Sequence, residues 1–224
     1  MPTDFFTGVK RWNVERNGTG LPLPLFYYDT QSFTLVYSAS TSRVQKLIPH
    51  PDLHLIELTP GRCLIAFAAF RFRKSDRNPY DEVGIAFFAS HHKRPTTFIT
   101  LAQALRSREI PAYVWQLPIT TEEACAGSVN LFGFPSYLAD IAFSKDTARV
   151  HCSLSMEGKE LLNFSGRILP THSGKTLRYL AYTLDGDSLL SANLVINPIE
   201  FTDTRAGSSG RIFIGNGHPM CDIL

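Results

Sequence analysis

Asn130-Leu-Phe-Gly-Phe-Pro-Ser-Tyr-Leu-Ala-Asp-Ile141 is the stretch on which the reading of the fold turns. Just before it, Tyr113 to Leu117 reads as a strand ended by Pro118. Thr120-Thr-Glu-Glu123 then has capping-box spacing, with the Thr120 hydroxyl on the first helical turn and Glu123 reaching back. That helix carries Ala124, Cys125, Ala126 and Val129 and delivers the chain to Asn130. Beyond the turn at Phe134-Pro135 the pattern becomes a meander. Ala139 to Phe143, Arg149 to Met156 and Glu160 to Ile168 alternate apolar and polar residues. Lys145-Asp146 and Glu157-Gly158-Lys159 join them with hairpin chemistry. Thr176 to Leu184, Leu189 to Ile196 and Arg211 to Ile214 continue the series.

The same character holds upstream. Ser32 to Tyr37 is a short β-branched strand, and Val44, Leu47 and Ile48 mark a short helix stopped by Pro49. Cys63 to Phe72 is too apolar for a half-exposed strand and reads as a core strand. After the loop Lys74 to Pro79, Glu82 to Ala89 repeats that character. Residues 1–24 show no sustained periodicity and read as an arm laid over a single domain of residues 25–224. The expected fold is mainly β (α+β): an antiparallel sheet with a few short helices, curled into a closed or nearly closed barrel.

At 224 residues, 44% hydrophobic and 19% charged, the chain has material for one sizeable core. A formal charge of +2 gives no case for a nucleic-acid or anionic-membrane surface. The basic clusters Lys93-Arg94, Arg106 with Arg108, and Arg71 with Arg73 read as solvated faces. Four cysteines, Cys63, Cys125, Cys152 and Cys221, form no C-x-x-C pair, and Cys63 and Cys152 fall in apolar strands as small buried hydrophobes. The first residues show no signal-peptide pattern and no apolar run is long enough to span a bilayer. A reduced, cytoplasmic protein that forms a homo-oligomer is expected.

The stretch from Asn130 to Ile141 resembles the G-[YFW]-P-K signature of the acetoacetate decarboxylase-like family, with one substitution in it. Phe134-Pro135 are kept, while Ser136-Tyr137 stand where the family carries paired lysines. Further segments are similar in the right order: Phe33 to Tyr37 with Lys46-Leu-Ile-Pro49, Tyr80-Asp-Glu82-Val-Gly84, Tyr113 to Gly127, and Gly217 to Leu224. The match covers residues 25–224 and implies an acetoacetate decarboxylase-like β-barrel. It assigns Glu82 the family's acid/base glutamate and Ser136 the Schiff-base lysine position. Tyr137 takes the neighbouring lysine, whose charge lowers the nucleophile's pKa in that chemistry. The family's arginine aligns with Thr30, and its second glutamate falls at Phe67-Ala68. A hydroxyl cannot condense with a ketone, so iminium chemistry is not expected. Among other lysines, Lys93, Lys145, Lys159 and Lys175 fall in polar loops; Lys74 is the nearest replacement.

The remaining candidates follow from residue chemistry. Glu82 opens an apolar strand, and a carboxyl against Phe-rich walls has a raised pKa suited to general acid–base work. The competing reading is an edge glutamate paired with Arg71 or Arg73. Tyr80 shares the face of Glu82 on a strand and offers a hydrogen bond to a substrate carbonyl, or simply packs. Ser136 and Tyr137 offer hydroxyls to a carbonyl oxygen. Trp115, Gln116, Asn130 and Phe134 are expected to line the same enclosed, mainly apolar pocket, although core packing accounts for Trp115 equally well. His91-His92, His151 and His218 lack metal-ligand spacing, and Gly207-Ser-Ser-Gly210 reads as a turn, so neither metal nor cofactor is expected. The function expected is a cofactor-independent enzyme on a carbonyl-bearing, polyketide-type small molecule, acting without a Schiff base by cyclisation, pericyclic ring closure included, isomerisation or dehydration. A β-keto acid decarboxylase working by hydrogen bonding, and a non-catalytic binding protein, are the alternatives.

Overall fold

A computed structural model describes residues 5–91, 106–204, 207–218 and 221. His92, Lys93, Arg94 and the end of the closing segment lie outside the described residues. The fold is mainly β, with few short helices, as the alternation required.

The first element is a hairpin of β1 (Trp12–Arg16) and β2 (Thr19–Leu23) within the arm. Its turn residues Asn17 and Gly18 both have positive φ, 50° and 73°, which is the backbone a two-residue hairpin turn demands and Asn-Gly supplies. The main sheet is built on β3 (Tyr27–Ser40), β6 (Arg62–Ser75), β7 (Tyr80–His91), β8 (Glu109–Ile119), β13 (Leu177–Asp185) and β14 (Ser188–Ile196). Their order is β14-β13-β8-β7-β6-β3; β4 (Leu53–Leu55) joins β7, β5 (Glu57–Thr59) joins β6, and β9 (Ser136–Leu138) joins β8. A second sheet runs β10 (Asp140–Lys145), β11 (Arg149–Met156), β12 (Lys159–Arg167), β15 (Gly210–Ile214). α1 (Thr41–Val44) continues as a 3-10 turn, and α2 (Glu122–Phe132) follows β8.

Two expectations are corrected. The sheets do not close into a barrel: β3 and β14 end the main sheet without pairing to each other, and the second sheet is hydrogen-bonded separately. Nor is the pairing all antiparallel, since β8 runs parallel to both β13 and β9. Parallel neighbours need a crossover, and residues 120–135, with α2, supply one between β8 and β9. Pro118 does not end β8. The Leu117 N–H donates to the Pro135 carbonyl (3.1 Å) and the Ala139 N–H to that of Ile119 (3.1 Å), so the ladder steps past the proline.

The two faces of the main sheet bury different partners. Phe67, Ala69, Val83 and Ile85 pack against Cys152, Leu154, Leu161, Leu162 and Phe164 of the second sheet. On the opposite face Phe72, Tyr80, Val114, Leu117 and Ile119 pack under Ala124 of α2, with Phe70, Phe134 and Ala181 at the margin. Alternation along each strand assigns residues to one face or the other. The helix-covered face carries Tyr80 and Glu82.

Candidate active site

Glu82 lies on the helix-covered face. It stands two residues from Tyr80 and opposite both Phe70 and Ile119, all of which pack there. The two arginines able to neutralise it are engaged elsewhere: Arg71 forks onto Asp81 (3.1 Å for both bonds) and Arg73 onto Asp29 (3.0 and 2.7 Å). The Glu82 carboxyl has no hydrogen bond or ion pair among the described residues. Half-buried and unpaired, its carboxyl is pushed up to about 7 by desolvation. Along its own strand and the next, Gly84, Ala68, Ala66 and Ala86 follow on the same face, so small side chains floor the space beside it.

Tyr80 is buried, and its hydroxyl meets that of Tyr27 at 3.1 Å. Burial raises both phenols, Tyr27 to about 12, and the Glu82 charge raises them further. Of the two phenolic protons one is held inside the pair, which leaves one to donate. A hollow of about 310 Å³, lined by Arg71, Phe72, Arg73, Pro79, Tyr80, Asp81 and Thr120, opens beside Tyr80. Another of about 360 Å³ lies on the second sheet around Phe143, Asp146 and His151, with the Arg71 guanidinium 4.6 Å over the Phe143 ring.

Ser136 is delivered to the same face by α2 and its ends. Thr121, not Thr120, caps the helix, its hydroxyl accepting from the Ala124 N–H at 3.4 Å. Thr120 instead accepts from the Asp81 N–H (2.9 Å), and the Glu123 carboxylate reaches Asn78 (2.8 Å) rather than the cap. At the far end Gly133 takes φ 67°, and the Gly133 and Phe134 N–H groups close on the Val129 and Ser128 carbonyls. The chain then enters β9, where Ser136 lies opposite Leu117. The Ser136 and Ser128 hydroxyls are 2.7 Å apart. The position that could have held a lysine is a hydroxyl pair between α2 and β9.

The structure therefore brings Glu82, Tyr80, Phe134 and Ser136 to one face, and leaves other candidates elsewhere. Tyr137 alternates to the opposite side of β9, beside Pro118, where burial raises it to about 12. Asn130 donates to the Thr19 hydroxyl (2.9 Å) and ties α2 to the N-terminal hairpin. Gln116 lies opposite Ile85, facing the second sheet. Trp115 stacks on Phe87 (5.6 Å) in the core on that same side. A bulge is the cause: Ile85 pairs with Gln116 but Ala86 with Val114, leaving Trp115 as an extra residue that resets the alternation of β8. The expected single pocket containing Trp115 and Gln116 is thus not formed.

Thr30, in the position of the family's arginine, is exposed on β3. Every described lysine is exposed, and the Lys74 ammonium lies 5.9 Å over the Tyr28 ring, outside the site. Sequence reading missed Arg77, whose side chain is 6% exposed and donates to the Glu123 carbonyl at 2.8 Å. The one local signal was Gly127, where any side chain would collide with its guanidinium. Among the described residues no group of three or more His, Cys, Asp or Glu could hold a metal ion.

Comparison with known proteins agrees with this frame. The sequence profile of the acetoacetate decarboxylase (ADC) family matches residues 14–181. No curated protein sequence matches the chain. Among solved structures, the acetoacetate decarboxylase of Legionella pneumophila superposes with a TM-score of 0.58 at 17% identity, covering 88% of this chain and 75% of its own. MppR, an enduracididine biosynthesis enzyme complexed with pyruvate, gives 0.57 at 12% identity, covering 87% and 79%. An acetoacetate decarboxylase-like enzyme from Sphingomonas wittichii RW1 gives 0.53 at 13% identity, covering 87% and 81%. At these identities the likeness is one of fold.

Proposed function

This chain belongs to the acetoacetate decarboxylase family, and from that premise we propose that it is an acid–base enzyme on a carbonyl-bearing small molecule that works without a Schiff base. The observation that carries the reading is Glu82: an unpaired carboxyl at about 7, beside the Tyr27–Tyr80 hydroxyl pair and a floor of small residues. At that pKa it is available near neutral pH both as carboxylate and as acid, the condition for efficient proton transfer. As carboxylate it takes a proton from carbon next to the substrate carbonyl. The C–H pair moves into the new C=C bond and the carbonyl pair onto oxygen, where the unspent phenolic proton of Tyr27 or Tyr80 hydrogen-bonds the developing enolate. Return of the proton from Glu82 to another carbon is an isomerisation. Attack of the enolate carbon on a second carbonyl of the same molecule is a cyclisation, and loss of water from that product a dehydration. The apolar walls, Phe70, Phe72 and Phe134, suit a polyketide-type substrate.

The paired serines at 128 and 136 replace the amine, and the described lysines lie in solvent. Borohydride with acetoacetate or pyruvate, the latter bound by MppR, is expected to leave no reduced adduct on any lysine. In D₂O the protein is expected to catalyse deuterium uptake next to the carbonyl of 4-phenylbutan-2-one, followed by NMR. Glu82→Gln should slow that uptake by about 10²- to 10⁴-fold. A trapped lysine adduct overturns the absence of a Schiff base. A ketone that binds and gains no deuterium leaves a binding protein.

A further inference from the structure

We propose that this chain self-associates through β14, whose open edge pairs antiparallel with the β14 of a second copy across a two-fold axis at Ala192. β14 ends the main sheet, and on its outer side it pairs with no strand among the described residues. Sheet edges are ordinarily guarded against such pairing by charges, prolines or bulges. The other terminal strands of the two large sheets follow that rule: β3 carries Asp29 with a register shift on either side of it, β10 carries Asp140 and Lys145, and β15 carries Arg211. β14 reads Ser188-Leu-Leu-Ser-Ala-Asn-Leu-Val-Ile196, with no charge, no proline and no break in its register against β13. It is also held from both faces. Leu190 Cδ1 stands 3.1 Å from where a Gly133 side chain would begin, and Leu189 packs on the core around Tyr182.

The register of β14 against β13 fixes which of its backbone groups face outward. The two-residue turn Gly186-Asp187 closes on the pair Asp185–Ser188, which is hydrogen-bonded in a hairpin of that length, and bonded pairs alternate from there. Leu189, Ser191, Asn193 and Val195 therefore turn their N–H and C=O groups away from β13. Arg178, opposite Val195, obeys the same alternation on the far side of β13, where its N–H donates to the Arg108 carbonyl at 2.9 Å. Ser191, Asn193 and Val195 are exposed, Val195 by 40%. Antiparallel pairing about Ala192 sets Leu189 opposite Val195 of the second copy and Ser191 opposite its Asn193. Each of the four outward residues then donates one bond and accepts one. The side chains match in the same register. Leu190 meets Leu194 and Leu189 meets Val195, all apolar; Ser191 meets Asn193, both polar; and Ala192 meets itself, small enough for close approach at the axis. A strand that is its own complement fits a second copy of this chain, as an isologous interface requires.

Analytical ultracentrifugation of the whole protein is expected to show a dimer or a multiple of one. Ser191→Lys with Asn193→Lys sets ammonium groups opposite one another and should raise the dissociation constant of this contact at least about a hundredfold, halving the assembly. Ser191→Lys with Asn193→Glu sets opposite charges across the same pairs and should restore association, with an affinity that falls as salt is raised. Asn193→Pro removes an outward N–H and none that bonds to β13, so it should fold, as circular dichroism would check, and still fail to associate. A monomeric wild type overturns the proposal, and so does an assembly left unchanged by the two lysines or by the proline. A lysine–glutamate variant that folds and stays dissociated overturns the pairing about Ala192.

Discussion

Glu82 shows how one residue couples stability to chemistry. Its ordinary pKa near 4.5 rises to about 7 in the fold because no partner compensates its burial. The folded state then holds the proton more tightly than the unfolded chain. The contribution of this group to stability is therefore full below about pH 4.5, is lost as pH rises through about 7, and stays lost above it. The loss is about 2–4 kcal/mol over that interval. Glu82→Gln should flatten this part of the stability profile, as denaturant melts at a series of pH values would show, while deuterium exchange falls. Wild-type exchange should rise over the same interval, as the base form appears. An unchanged stability slope in Glu82→Gln would mean that the carboxyl is solvated after all. Glu82 was legible in the sequence because Tyr80-Asp-Glu82 precedes an apolar strand. Arg77 was not, because its loop position reads as solvent until Gly127 is seen to make room for it.

At the scale of elements, α2 sets the geometry of the Ser128–Ser136 pair through its two ends. Thr121→Ala removes the N-cap and is expected to cost about 1 kcal/mol. Gly133→Ala places a side chain at φ 67°, with Leu190 Cδ1 at 3.1 Å and the Asp185 Cβ at 3.3 Å from the new methyl. The left-handed backbone alone costs about 1–2 kcal/mol, and the contacts with β13 and β14 add to it. Chemical denaturation should rank Gly133→Ala below Thr121→Ala. The reverse order would place the weight of α2 at its start. The helix itself was readable from its acidic first turn and Ala-rich interior. The choice between Thr120 and Thr121 was not: either hydroxyl can cap, and it is the Asp81 N–H of β7 that claims Thr120.

For the whole molecule, the two packed faces of the main sheet are expected to separate stability from function. Phe164 is buried between the sheets, its ring 5.0 Å from Phe33, on the side of the main sheet away from Glu82. Phe164→Ala is expected to cost about 3–5 kcal/mol by leaving a cavity in that layer. Exchange activity per folded molecule should stay near wild type, since the helix-covered face keeps its side chains. Thermal melts with activity assays below the transition would check this; a proportional loss of activity would show that the two faces are not independent.

Alternation and punctuation determined the mainly β character, most strand positions, the hairpins of the second sheet and the place of Glu82. These are local properties, since side chains two apart on a strand share a face whatever lies above them. The pairing of strands was a tertiary decision. Whether the sheet closed depended on contacts between distant edges, and the parallel pairs of β8 depended on where the crossover through α2 returned the chain. The bulge at Trp115 is the sharpest case. Tyr113 to Leu117 reads as regular alternation, and only the register against Ile85 and Ala86 reveals the extra residue that turns Trp115 to the side of Gln116, away from Glu82. The candidate site was therefore half visible in the sequence: its carboxyl is marked by its own strand, while its hydroxyl pairs exist only because separate elements meet.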